Sequence, residues 1–104
     1  MKLCIPTMLP GGLMAHTAMV EEAECFTLVT IHPGGSLGVE VMHPPETERL
    51  PAILMASGVS ILLSPSIPPA PSDFWQCSIR IFTGCAERAG DMLAEYRNGF
   101  MAEA

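Results

Sequence analysis

The sequence has few charged side chains and is especially poor in basic ones. Its 104 residues include 5 lysines and arginines against 11 aspartates and glutamates, which gives a net charge of −6, and the basic residues are scattered. Nucleic-acid binding needs a concentrated positive surface that displaces counterions from the phosphates. The charge balance therefore argues against a nucleic-acid partner.

The sequence also lacks a long apolar run. No segment approaches the roughly 20 apolar residues that a membrane-spanning helix needs. Residues 1–6 carry one charged side chain and end at Pro6, so they lack the apolar centre of a signal peptide. We therefore expect no membrane partner and a cytoplasmic location.

Cysteine pairs of the metal-binding or redox type are absent as well. The four cysteines, Cys4, Cys25, Cys77 and Cys85, form no Cys-x-x-Cys motif, so neither a zinc ribbon nor a thioredoxin-like site is indicated. In a reducing cytosol they are expected as thiols. Most cysteines of this kind serve as small buried hydrophobic side chains, and we expect this of Cys4, inside the first predicted strand.

What the sequence does have is apolar content: 49% of its residues are hydrophobic and only 15% are charged. This composition is the opposite of that of disordered chains, so the protein should fold. A chain of this length can bury one core, and we find neither a linker nor an internal repeat. The prediction is a single domain over residues 1–104.

The first half of the chain has the pattern of strands. Residues 2–6 predict a short strand, and a long loop with turn residues follows it. Residues 25–32 and 37–42 surround a Gly-rich turn and predict a β-hairpin. In the second strand of this hairpin, apolar side chains lie on one face in alternation, and we expect this strand to be half buried. These side chains are Leu37, Val39 and Val41.

The second half alternates between helix and strand. Pro51 suits the first turn of a helix, and Gly58 can end this helix. The apolar run at residues 59–63 predicts a buried strand. Four prolines in residues 64–71 favour an extended path, after which Ser72 can cap a brief helix to residue 77. Residues 79–82 predict another strand. A final helix follows, indicated by the spacing of Ala89, Met92, Leu93 and Tyr96 and by the stop Asn98-Gly99.

The predicted element order is β-β-β-α-β-α-β-α. An antiparallel hairpin followed by right-handed β-α-β crossovers gives an α/β fold, in which a mixed five-stranded sheet carries helices on its faces.

Five segments, in this order and spacing, resemble the dinitrogenase iron-molybdenum-cofactor biosynthesis family: MKLCIP at 1–6, FTLV at 26–29, GVSILL at 58–63, IRIFTG at 79–84 and LAEYRNG at 93–99. The resemblance covers essentially the whole chain. It implies a ribonuclease-H-like sheet. It also implies a role in carrying or inserting metal-sulfur clusters for nitrogenase, or in related proteins such as the molybdenum-copper orange protein.

The chain departs from this family in two loops. Members commonly have a His-Phe-Gly motif before the second strand, where this chain has MVE at 19–21 and His16 three positions earlier. Members also tend to have a Gly-Gly-Ile-Gly turn after the fourth strand, where this chain has PSIP at 65–68. Proline fixes φ at a negative value and removes an N–H donor, so this loop has a different shape. We therefore interpret the chain as a divergent member.

Ligands of open α/β sheets bind at the carboxyl ends of the parallel strands, where three predicted loops gather. The expected cofactor-binding residues in these loops are His16, Ser64, Ser66 and Cys85. Cys85 is predicted at the entry to the last helix, where the helix dipole favours a thiolate that could ligate copper or an iron-sulfur unit. His16 is its expected metal-binding companion, with Met8, Met14 and Met19 nearby in a combination compatible with Cu(I).

Catalytic constellations are missing from the sequence. Its only aspartates, Asp73 and Asp91, belong to predicted helices, whereas ribonuclease chemistry needs several carboxylates around two metal ions. No spacing places a base beside a nucleophile. The expectation is a protein without enzymatic activity.

Two functional hypotheses remain. In the first, the protein carries a molybdenum- or iron-containing sulfide cluster, with or without copper, and its partners are metallocofactor-assembly proteins. In the second, a degenerate family member acts as a protein-interaction or regulatory module without a cluster. An acidic cluster lies before the second strand and has two interpretations. It is either the docking surface for a basic partner or a solvated face of the protein. The cluster consists of Glu21, Glu22 and Glu24.

Overall fold

The structure, a computed structural model, describes residues 1–43 and 49–104. Its strands are β1 (Lys2–Thr7), β2 (Cys25–Ile31), β3 (Leu37–Met42), β4 (Ile61–Ser64), β5 (Arg80–Thr83) and β6 (Ala102–Glu103). Its α-helices are α1 (Leu50–Ala56), α2 (Pro71–Gln76) and α3 (Ala89–Arg97), and a 3-10 turn covers Val20–Glu22. None of these helices is long and apolar enough to cross a bilayer.

The strands form one mixed sheet in the order β3-β2-β1-β4-β5-β6. The pairs β1–β4 and β4–β5 are parallel, whereas β1–β2, β2–β3 and β5–β6 are antiparallel. The α/β class and the mixed sheet agree with the prediction, but the count of five strands was wrong. The sixth strand forms because the chain turns back after α3 and two of its residues pair with β5. Two residues are too few to show the alternation that predicts a strand.

The predicted hairpin is present with the predicted bounds of β3, and the apolar face of this strand is only partly covered. Leu37, Val39 and Val41 are 38%, 43% and 41% exposed. Strand β3 lies at the edge of the sheet, and α3 packs over the centre of this face rather than over the edge. The alternation therefore identifies the apolar face correctly but does not tell how far the covering helix extends.

The helix signals were correct for α1 and α3. Helix α1 has Pro51 in its first turn and is followed by Gly58 at φ +85°, and α3 ends at Arg97, directly before Asn98 and Gly99. The predicted cap of α2 was wrong. Pro71 begins this helix and Ala70 precedes it in the left-handed conformation, so Ser72 lies inside the first turn and makes no capping hydrogen bond.

Two hydrophobic cores lie on opposite faces of the sheet. One packs the sheet against α1 and α2 through residues such as Leu54 and Phe74, and the other packs it against α3 through Met92 and Leu93. Cys4 is fully buried in the first core, as predicted, and burial raises the pKa of its thiol far above the usual range. This cysteine is therefore an inert core side chain.

Candidate functional site

A cleft of about 330 Å³ lies beside the carboxyl ends of the parallel strands. Its walls come from the loop after β1, the first residue after β4 and the loop between β5 and α3. This is the edge at which the sequence predicts the ligand site. The lining residues are His16, Thr17, Ala18, Met19, Glu22, Pro65, Cys85, Ala86 and Glu87.

Hydrogen bonds between the loop after β1 and the loop before α3 hold the cleft together. The backbone N–H of Thr17 donates to the carbonyl oxygen of Glu87 at 2.8 Å, and the Thr17 hydroxyl donates to the carbonyl oxygen of Ala86 at 2.9 Å. His16 and Arg88 form an antiparallel bridge beside them. The loop after β1 is thus fixed to the loop before α3, although the two are about 70 residues apart in the chain.

His16 and Cys85, the two expected metal-binding residues, lie in this cleft and both are exposed. The predicted position of Cys85 at the entry to the last helix was wrong. Helix α3 begins at Ala89 after its N-cap Arg88, so Cys85 lies in the loop three residues before that cap. The dipole of a helix acts within its first turn, and it therefore gives no account of a thiolate at Cys85.

The two expected serines lie on either side of Pro65 but do not line the cleft wall. Ser64 is the last residue of β4 and is fully buried, whereas Ser66 is half-buried in the following loop. The Ser64 hydroxyl has no hydrogen-bond partner within residues 1–43 and 49–104. A buried polar group without a protein partner is uncommon, so Ser64 is an unusual feature of this edge of the sheet.

Of the three methionines near His16, only Met19 lines the cleft with it. Met14 is exposed elsewhere, at 76% of its surface, and Met8 is half-buried outside the wall. Across the described parts of the chain, no three His, Cys, Asp or Glu side chains come close enough to hold a metal ion together. A metal ion in the cleft would therefore have at most two of these described side chains as ligands.

The cleft also carries negative charge. Glu22 and Glu87 line it, and Glu21 and Glu24 are exposed close by in the chain. The N–H of Leu9 donates to Glu24 Oε1 at 3.1 Å, which ties part of the acidic cluster to the loop after β1. The sequence reasoning missed Glu87, because its position opposite Thr17 depends on a long-range backbone pairing that no local pattern reports.

Comparisons with known proteins rest on structure. No protein-family model and no curated protein matches the chain in sequence. Several solved structures match its fold, among them that of PH0822, with a TM-score of 0.82 and 22% identity over 100% of this chain and 96% of the other. The chain shares their fold.

Two further structures carry names related to nitrogenase. A candidate NifB protein of the DUF35 family from Thermotoga has a TM-score of 0.81 and 15% identity, over 98% of this chain and 91% of its own. A candidate dinitrogenase from Methanocaldococcus jannaschii has a TM-score of 0.77 and 13% identity, over 100% and 94%. At these identities the similarity establishes the α/β fold with its mixed sheet.

Proposed function

We propose that the protein is an accessory factor that binds or carries a metal-sulfur cluster, of iron-molybdenum or molybdenum-copper type, during metallocofactor assembly. The cluster is cargo, received from and delivered to other assembly proteins, and the role assigned to the protein is not catalytic. The observation that carries this proposal is the cleft at the carboxyl edge, which Cys85 and His16 line together with Pro65, the residue after the buried Ser64.

The fold supports this proposal in two ways. The order β3-β2-β1-β4-β5, with β2 antiparallel to β1, suits the ribonuclease-H-like sheet that the family resemblance implies. The structural neighbours include proteins named for NifB and for dinitrogenase. Fold similarity alone does not supply a function, so the argument depends on the cleft.

The side chains of the cleft suit a soft, sulfur-containing cargo. A cysteine sulfur and an imidazole nitrogen are ligands for copper and for iron-sulfur units, and both Cys85 and His16 are exposed enough to be reached. Because so few protein ligands converge in the described residues, a cluster that brings its own sulfide ligands fits better than a bare metal ion that needs a complete protein shell.

Reconstitution tests the proposal. The protein is mixed in turn with iron-molybdenum cofactor, thiomolybdate plus copper and an iron-sulfur cluster, then desalted and examined by absorption spectroscopy. We expect a stoichiometric chromophore with one of them, and its loss in Cys85→Ser and His16→Ala. Cys77→Ser is the matched control, because Cys77 is half-buried against the first core and away from the cleft. If none of the three leaves a stoichiometric chromophore, the carrier proposal is wrong.

The acidic cluster favours a second candidate function, that of an interaction module without a cluster. Glu21, Glu22 and Glu24 are exposed on one short segment, and Glu22 together with Glu87 would repel a strongly anionic cluster at the cleft. A pull-down from native lysate with the wild type and with a triple Glu→Gln variant tests it. A basic partner that is lost only with the variant supports this function, and partners unaffected by the variant contradict it.

A further inference from the structure

The two edges of the sheet differ in a way that the proposed cargo site does not explain. Strand β6 has two residues, and the bidentate pair between Arg80 and Glu103 covers its end. Strand β3 has six residues, without proline or lysine, and pairs with β2 in an uninterrupted ladder. Proteins usually protect a long edge strand with charged side chains, proline or a bulge, because its free backbone groups can pair with another chain, and of these β3 has only Glu40.

The apolar face of β3 continues a buried row of the sheet. Ile61, Leu3, Val29 and Val39 are successive neighbours across four strands, and the first three are 4%, 0% and 0% exposed. The row ends at Val39, which is 43% exposed. Within the described residues, β3 makes no backbone hydrogen bond on its outer side. The buried row therefore ends in an exposed apolar side chain on the edge strand, although the loop at Gly11 packs against Val41 beside it.

We propose that β3 pairs with β3 of a second copy of this chain, antiparallel, about a two-fold axis at Val39. In this register Val39 lies opposite Val39 of the second copy, and Leu37 lies opposite its Val41. Directly opposite apolar side chains on one face stabilise an antiparallel pair. The buried row then runs through both subunits, and the interface is self-complementary, as a two-fold dimer requires.

The opposite face of β3 selects the same register. There Glu40 lies opposite Gly38 of the second copy, and a Cβ atom at Gly38 would lie 3.3 Å from His32 Nε2, so the imidazole covers this position. Glu40 thus approaches a group that can donate a hydrogen bond or carry positive charge. Its own charge is already partly offset by Lys2, whose Nζ is 3.8 Å from Glu40 Oε1.

The neighbouring registers are less favourable. A shift of the axis to Glu40 places the two carboxylates directly opposite each other, which destabilises the pair. A shift to Gly38 leaves Val41 opposite Gly35, which has no side chain and lies in the turn before β3 begins at Leu37. An axis that falls between two residues would set the apolar side chains of one copy against the polar face of the other. Of these registers, the one with its axis at Val39 satisfies both faces.

The oligomeric state tests the proposal without reference to any cargo. Sedimentation velocity of the full chain, over concentrations up to about 0.5 mM to allow for mass action, is expected to show a dimer that Val39→Lys converts to a monomer. Met55→Lys is the matched control, since Met55 is 50% exposed on α1, away from β3. Circular dichroism checks that both variants fold. A wild type that stays monomeric, or a dimer that survives Val39→Lys, overturns the proposal.

Disulfide cross-linking tests the register. The experiment uses a background in which Cys77 and Cys85 are replaced by serine, because these two native thiols are accessible to oxidation. Cys4 and Cys25 are buried and are retained. Val39→Cys is expected to cross-link with itself under mild oxidation. Leu37→Cys is expected to cross-link with Val41→Cys when the two proteins are mixed, and not with itself. Self-linkage of Leu37→Cys with none for Val39→Cys means another register and overturns the axis at Val39.

Discussion

The hydroxyl oxygens of Thr7 and Thr27 lie 2.9 Å apart, and both side chains are fully buried between β1 and β2. Thr27 Oγ1 also accepts a hydrogen bond from the backbone N–H of Gly12 at 3.0 Å. Thr7 Oγ1 is 3.3 Å from the carbonyl oxygen of Cys25. This network ties the start of the loop that carries His16 to the middle of the sheet.

The first prediction concerns Thr27→Val, which keeps the shape of the side chain but removes its hydroxyl. It leaves the N–H of Gly12 and the hydroxyl of Thr7 without this partner, so we expect the free energy of unfolding to fall by about 1–3 kcal/mol. Denaturant unfolding measures it. Thr30→Val on the same strand is the control, since Thr30 is half-buried and makes no side-chain hydrogen bond in the described structure. An equal loss in both variants would contradict the role of the network.

The second prediction separates backbone strain from steric overlap at two adjacent glycines. Gly11 and Gly12 have φ values of +79° and +89°. A Cβ atom at Gly11 would lie 2.8 Å from Val41 Cγ1, whereas one at Gly12 would meet nothing within 4 Å. Gly12→Ala is therefore expected to cost about 1–2 kcal/mol for the left-handed backbone alone, and Gly11→Ala clearly more.

A double variant identifies the source of the extra cost. Val41→Ala removes the two nearest methyl groups and leaves Cys25 Sγ at 3.1 Å from the new Cβ atom, so Gly11→Ala should be less destabilising in the Val41→Ala background than in the wild type. Thermal unfolding of the four proteins in this cycle gives the interaction energy. An interaction energy near zero means that the close approach of Gly11 to Val41 does not matter in solution.

Much of the fold could be predicted from the sequence because its signals are local. The bounds of β3 follow from alternation, and the end of α3 follows from Asn98-Gly99. The strand β6 could not be predicted, since its pairing with β5 depends on a turn and on the Arg80–Glu103 contact. The exposure of Val39 could not be predicted either, because periodicity gives a face but not the area that α3 covers.

The candidate site shows the same division. That loops at the carboxyl edge would meet follows from parallel strand topology, and His16 and Cys85 do line one cleft. Whether they bind a cluster stays a prediction. The inclusion of Glu87 and the burial of Ser64 depend on long-range backbone pairing and on packing, neither of which a single sequence reports.

The third prediction is a pH dependence at the β6 edge. The hydrogen bonds from Arg80 to Glu103, at 2.7 Å each, lower the pKa of the Glu103 carboxyl below its usual value. A carboxyl with a lowered pKa in the folded state contributes stability above its ordinary pKa, and this contribution is lost as the pH falls through the lowered pKa. We expect β6 to separate from β5 in acid before the core unfolds, and amide protection at Ala104, whose N–H donates to Ile81, reports it.

Two variants control for the pH experiment. Glu103→Gln should remove the acid-dependent loss at Ala104, because the amide does not titrate in this range. Arg80→Gln should move the titration of Glu103, followed by NMR, back toward that of an unpaired glutamate. Both side chains are exposed, so the effect is expected to weaken in high salt. An unchanged Glu103 titration in Arg80→Gln contradicts the assignment.

The fourth prediction distinguishes a structural from a functional role of Ser64. Its hydroxyl is buried and makes no hydrogen bond to another described residue, so its removal breaks no such bond. Ser64→Ala should therefore leave the stability of the cargo-free protein unchanged or raise it by up to about 1 kcal/mol, in contrast to Thr27→Val, which removes a bonded hydroxyl. If the same variant weakens retention of a reconstituted cluster, Ser64 serves the cargo. A large loss of stability would instead mean that the hydroxyl has a structural partner in solution.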